Sequence, residues 1–169
     1  MIKAIVTDLD DTLLRYDKTI SEFTIDTLKR CSAAGIKLIF ATARGASYQQ
    51  LVPNGLFDAR VLYNGAIAEI GDETVYSQLI APEVYSPFLR EMDRLNLRAI
   101  AEIGGMHHAN FDVSSMWPLK YAISDFTSMS DYAEKLCVIL DSAGDAEKVA
   151  KNLPSGLYLH FTKAVWRLR

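Results

Sequence analysis

The 169-residue chain carries 18 basic and 21 acidic side chains, for a net charge of -3, and 50% of its residues are apolar. That balance suits one ordinary domain or two small ones with a real core. No basic stripe marks a nucleic-acid binder, no apolar run reaches the ~18 residues of a membrane helix, and no signal peptide or repeat is evident.

Lys3–Asp8 (KAIVTD) is short, apolar and β-branched, and reads as a buried strand. Thr19 to Ala34 reads as a helix. Thr19 and Glu22 fit a capping box, Ile20, Phe23, Leu28 and Cys31 recur at helical spacing, and Gly35 suits a left-handed C-terminal position. Cys31 and Cys137 have no paired spacing, so reduced thiols and a cytoplasmic location are expected. Ile36–Ala41 (IKLIFA) is apolar on both faces. Strand, helix and apolar strand predict a βαβ unit with parallel strands. Ser47–Leu51 predicts a short helix, and Arg60–Tyr63 a third strand running into Asn64-Gly65. AIAEI and TVYSQL flank Gly71-Asp72-Glu73 and predict a hairpin.

The texture changes near Ala81-Pro82. A helix runs to about Leu95, starting at Pro82 or at Ser86-Pro87. Strand-like pieces follow at Arg98–Ile103, His108–Phe111, Lys135–Leu140, Leu157–Phe161 and Ala164–Leu168, with a short helix over Asp145–Leu153. This half reads as α+β. The expected organisation is an α/β first domain over 1–80 and an α+β domain over 81–169.

Asp8 ends the first strand, Thr42 the second and Asn64 the third. Open parallel sheets bind ligands beyond the carboxyl ends of their strands, so these residues are expected on one edge. The acid cluster Asp8, Asp10 and Asp11 costs stability unless a cation or a reaction uses it. A carboxylate there can ligate Mg2+ or attack phosphorus, and a second one two residues on can pass a proton to a leaving oxygen. The Thr42 hydroxyl can bond a phosphoryl oxygen as charge develops on it. Asp11 and Asp141–Glu147 read as solvated acids. His107 and His108 point to opposite strand faces and cannot easily share a metal. Gly104-Gly105 reads as a turn, and Met116, Trp117 and Tyr121 as core.

D-L-D-D-T-L-L after an apolar strand resembles the first motif of the haloacid dehalogenase superfamily. F-A-T-A-R resembles its second motif, with Ala43 in place of the usual glycine. Y-N-G-A-I resembles a stretch typical of the Cof-type branch, phosphatases of small phosphorylated metabolites. The hairpin and the α+β segment resemble that branch's cap domain. The resemblance implies a Rossmannoid parallel sheet with a cap, and Mg2+-dependent hydrolysis through an aspartyl-phosphate. It implies Asp8 as nucleophile and metal ligand, and Asp10 as general acid/base with its main-chain carbonyl on the metal. Thr42 would bind the phosphoryl group, Thr12 would stabilise the following loop, Asn64 and Gly65 would line the pocket, and Arg44 would assist with anions.

The same resemblance implies two later motifs, a lysine that holds the phosphoryl group and a G-D-x-x-N-D loop of metal-binding acids. Neither is recognisable. Gly144-Asp145 starts a helix, and Lys163 reads as a strand-turn residue. The chain resembles the first two-thirds of such a phosphatase, with the C-terminal part of the core absent. One edge of Lys3–Asp8 is then expected to be open and to favour a homodimer or larger assembly. The competing expectation is a catalytically inactive remnant that serves as a dimeric binding module. A signalling receiver domain would need its phosphorylated aspartate where Asn64 stands.

Overall fold

The computed structural model describes residues 2–114, 116 and 120–160. The chain divides into two compact units, Met1–Gln78 and Leu79–Arg169.

The first unit is a five-stranded sheet of β1 (Ala4–Asp8), β2 (Lys37–Ala41), β3 (Ala59–Leu62), β4 (Ile67–Ile70) and β5 (Glu73–Ser77), in that spatial order. β1, β2 and β3 are parallel, and β3, β4 and β5 run antiparallel. The predicted βαβ unit is present, with α1 (Glu22–Ala33) between β1 and β2. Side chains alternate across the sheet. Leu38 and Phe40 are buried on one face, where Ile5, Ile25, Leu28 and Cys31 gather around Leu38 and Tyr48, Phe57 and Leu62 around Phe40. Val6 lies on the opposite face and is 65% exposed. β1 is therefore half-buried, not the buried strand its composition suggests. Among the described residues it pairs only with β2, so its other edge is open.

The cap of α1 differs from expectation. Ser21 caps the helix, its hydroxyl accepting from the Thr24 N–H at 3.0 Å. Thr19 is held elsewhere: its N–H and hydroxyl both donate to Asp17, at 3.0 and 2.6 Å. Phe23 is 81% exposed and takes no part in the helix's apolar stripe. The predicted short helix is one tight turn over Ala46–Gln50. The third strand stops at Leu62, because Tyr63 adopts a left-handed φ of 54° that no strand accommodates.

The second unit packs α2 (Pro82–Arg94) and α3 (Ala143–Asn152) with a four-stranded sheet. Its strands are β6 (Arg98–Ile103), β7 (Met106–Ala109), β8 (Tyr121–Ile123) and β9 (Lys135–Ile139), in the order β8-β7-β6-β9. α2 starts at Pro82 and runs through Pro87. Its buried face of Tyr85, Phe88, Leu89 and Met92 meets Ala99, Ala101 and Val149 and offsets the hydrogen bond Pro87 cannot make. The Tyr85 hydroxyl donates to the Asp131 carbonyl at 2.7 Å. Ile100, Ala109 and Val113 form a smaller core on the other sheet face, with Tyr121 and Cys137 against it. β8 lies outside the segments whose pattern predicts a strand. Residues 157–160 form no strand, and Tyr158 is 94% exposed. Met116 is exposed rather than core. Trp117, Lys163 and the expected strand at Ala164–Leu168 lie outside the described residues. Among the described residues, no helix is long and apolar enough to cross a membrane.

Candidate active site

The carboxyl ends of β1, β2 and β3 come together. Asp8 stands in register with Ala41, and Ala41 with Val61. The Thr42 N–H donates to the Val61 carbonyl at 2.9 Å, and the Asn64 N–H donates to the Thr42 carbonyl at 3.2 Å. The Tyr63 N–H closes the loop onto the Arg44 carbonyl at 3.1 Å. Three residues far apart in sequence thus share one sheet edge through main-chain bonds.

The loop after β1 is a wide turn closed by the Leu14 N–H on the Leu9 carbonyl at 2.8 Å. Leu9 is fully buried beneath it, while Asp11 and Thr12 are exposed. Asp11 takes a left-handed φ of 57°, which an aspartate tolerates better than most residues. This anchors the loop by Leu9 and leaves the acids at its surface.

Asp10 is the most tightly held of them. Arg44 grips it in a fork, Nε to Oδ2 at 2.7 Å and Nη2 to Oδ1 at 2.8 Å. Lys18 Nζ donates to the same Oδ1 at 2.9 Å. Bidentate charge-assisted bonds of this kind are the strong ones. The Arg44 hydrogen bonds, with those of Lys18, overcome partial burial and hold the Asp10 carboxyl down at about 2. Among the described residues, no hydrogen bond or ion pair engages the Asp8 carboxylate.

Thr42 is only 5% exposed. Its Oγ1 accepts from the Arg44 N–H at 3.2 Å. With that lone pair engaged, the hydroxyl proton is free to be given to another oxygen. Asn64 and Gly65 follow at φ 58° and 102°, both exposed. Tyr63 and Asn64 hold a positive φ that costs a side-chain-bearing residue energy, whereas Gly65 takes it freely, and such non-glycine outliers cluster at functional sites.

Sequence reasoning missed Lys18. Eight residues separate it from Asp10, and only the folded turn shows the contact. The cue available was a basic residue in a short polar loop right after the acids.

The donor set suits a hard cation in part. The Asp8 carboxylate and the Asp10 carbonyl are hard oxygen donors, and Mg2+ commonly takes one or two carboxylates with water and substrate phosphate completing its shell. Both Asp10 carboxylate oxygens are already held by cations. Among the described residues, no group of three or more His, Cys, Asp or Glu side chains is placed to hold a metal ion.

The model of the haloacid dehalogenase-like hydrolases matches residues 5–162. Three solved structures share the fold. A haloacid dehalogenase-like hydrolase from Bacteroides thetaiotaomicron has a TM-score of 0.74 at 23% identity, over 89% of this chain and 62% of that one. A phosphatase of the haloalkanoate superfamily from the same organism has 0.73 at 22%, over 90% and 61%. A protein from Thermotoga maritima has 0.72 at 22%, over 89% and 61%. The chain thus spans less than two thirds of the length of these structures. With its matched segment covering nearly the whole sequence and its strand-end residues brought to one edge, the chain belongs to the haloacid dehalogenase-like hydrolases.

Proposed function

We propose that this chain carries the nucleophile half of a Mg2+-dependent phosphatase acting on small phosphorylated metabolites, with the second unit as its cap domain. The observation that carries this reading is the convergence of Asp8, Thr42 and Asn64 at one sheet edge, with Asp10 joined to Arg44 beside them. An Asp8 carboxylate oxygen would attack phosphorus, and the bond from phosphorus to the leaving oxygen would break. Asp10 in its acid form would give that oxygen a proton. Water would then attack the aspartyl-phosphate, Asp10 would take the water's proton, and the bond to Asp8 would break to release phosphate. Thr42 would donate to a phosphoryl oxygen throughout. Asn64 and Gly65 would line the pocket.

The cations on Asp10 bear on this order. They hold it ionised, the form the second step needs. The first step needs the acid form, so Arg44 or Lys18 must turn away from Asp10 as substrate enters. Asp8 and the Asp10 carbonyl would hold Mg2+, which when bound neutralises charge on the phosphoryl oxygens.

Phosphate release from an aryl phosphate and from sugar and nucleotide phosphates, measured with Mg2+, tests this reading. We expect turnover that Asp8→Asn reduces to background, a loss of at least about a thousandfold. Turnover equal in the variant would overturn it.

A second reading has its own observation. Among the described residues β1 pairs only with β2, and its Val6 is exposed, as is the neighbouring Ile2. Such an edge accepts another strand. We propose that it pairs with a second copy, which would also serve an inactive binding module. Sedimentation showing a monomer at high concentration would count against that pairing. A cytoplasmic setting is consistent with Cys31 and Cys137 as free thiols.

A further inference from the structure

We propose that Lys18 is a phosphate-binding residue, the mobile cation that holds the phosphoryl group at the sheet edge alongside Thr42 and Arg44. The inference rests on the phosphatase reading and adds to it a residue from outside the strand ends.

Lys18 Nζ lies 2.9 Å from Asp10 Oδ1, the oxygen that also accepts from Arg44 Nη2 at 2.8 Å. Arg44 in turn places its N–H on the Thr42 hydroxyl. Lys18, Arg44 and Thr42 are therefore linked through one chain of hydrogen bonds beside Asp8. An ammonium has three donors and a guanidinium five. The bonds to Asp10 use one of the first and two of the second, so both cations keep donors for an incoming anion.

The charges agree. Asp8, Asp10 and Asp11 crowd this edge with negative charge. A phosphate ester would be repelled unless cations faced it. Among the described residues, Arg44 and Lys18 are the cations bonded to the cluster. Arg44 is fixed by its two-point fork and by the main-chain bonds of its loop. Lys18 makes a single contact and its side chain is 44% exposed, so it is the one free to move onto a ligand.

The backbone shows how the residue is placed. The turn over residues 15–19 is closed by Arg15 N–H on the Thr19 carbonyl at 2.8 Å and by Lys18 N–H on the Arg15 carbonyl at 2.9 Å. Asp17 ties down Thr19. Lys18 itself sits at φ 64°. Glycine or asparagine would take that position without strain, whereas lysine costs about 1–2 kcal/mol there. Two main-chain hydrogen bonds close the turn, and its left-handed residue brings the Lys18 ammonium onto Asp10.

The test is binding of inorganic phosphate by the full chain, followed by calorimetry with and without Mg2+, for wild type, Lys18→Met, Lys18→Arg and Thr42→Val. Lys18 is exposed, and unchanged circular dichroism and melting would verify that its variants fold. We expect Lys18→Met to weaken phosphate binding about tenfold and to flatten its salt dependence, and Lys18→Arg to restore most of it. Phosphate bound equally by wild type and Lys18→Met, but lost in Thr42→Val, would overturn the role of Lys18 and leave the phosphatase reading standing. No binding by wild type, or binding that Thr42→Val leaves unchanged, would overturn both.

Discussion

Asp10 in the first unit and Glu102 in the second are both carboxylates with basic neighbours, yet they move in opposite directions. Asp10 is held at about 2 by hydrogen bonds from Arg44 and Lys18 at 2.7 to 2.9 Å. Glu102 is 8% exposed and faces His107 on β7 and Lys135 on β9 in direct cross-strand register. Burial nevertheless pushes its carboxyl up, and the attraction of His107 and Lys135 does not reverse that. The difference lies in contact. His107 Nε2 stands 3.6 Å from Glu102 Oε2, beyond hydrogen-bond range, and its buried Nδ1 has no hydrogen-bond partner among the described residues. A nearby charge does not substitute for a bonded one once water has been removed.

Loss of the Arg44 fork has the largest expected effect. Arg44→Met should let the Asp10 carboxyl rise from about 2 toward its ordinary 3.8, readable by carbon NMR of labelled aspartate. It should also reduce phosphate release about a hundredfold, in line with the loss of a preorganised donor. An Asp10 that stays near 2 in this variant would show that Lys18 alone sets its state.

Replacing Glu102 has a smaller effect, and its sign is set by burial. A carboxyl whose folded-state value is raised stabilises the fold fully below its unfolded value, and that contribution is lost as pH rises through the folded value. For Glu102 the loss begins near 4.5. Glu102→Gln cannot ionise, so it should melt higher than wild type at pH 8 and equally at pH 4. A variant that melts lower at pH 8 would show that the charge of Lys135 outweighs burial. Glu134 also acts on Glu102, in the same direction as burial.

The parallel strand–helix–strand unit was legible in the sequence, and contacts across loops were not. KAIVTD and IKLIFA showed the parallel pair, because runs of apolar β-branched residues have few alternatives. The strand-end residues Asp8, Thr42 and Asn64 followed from topology alone. β8 is three residues long and shows no alternation, so nothing marked it. The cap of α1 moved from Thr19 to Ser21 because Asp17 claims Thr19, a choice between two hydroxyls that spacing cannot make. Tyr158-Leu159-His160 has strand-like composition but no sheet partner in the described chain. Val6 and Phe23 read as core because an apolar residue carries no sign of which face its strand or helix leaves uncovered. Lys18 was invisible for the same kind of reason: a lysine eight residues from an aspartate gains meaning only when a left-handed turn folds it back.

The gentlest test acts on the Asp10 pairing through acid. A carboxyl held below its unfolded value stabilises the fold above that value, and the contribution fades as pH falls through the folded one. For Asp10 the window runs from 3.8 down to about 2. The side chain is 34% exposed, so solvent screens the pairing and the contribution is modest. Asp10→Asn keeps the shape but not the charge. Wild type should therefore exceed Asp10→Asn in urea midpoint at pH 5, and the gap should close toward pH 2. Added salt should narrow it at pH 5, because Lys18 is itself nearly half exposed. A gap that is the same at both pH values would mean that Asp10 is not held by its cations in solution, and the contrast with Glu102 would fall with it.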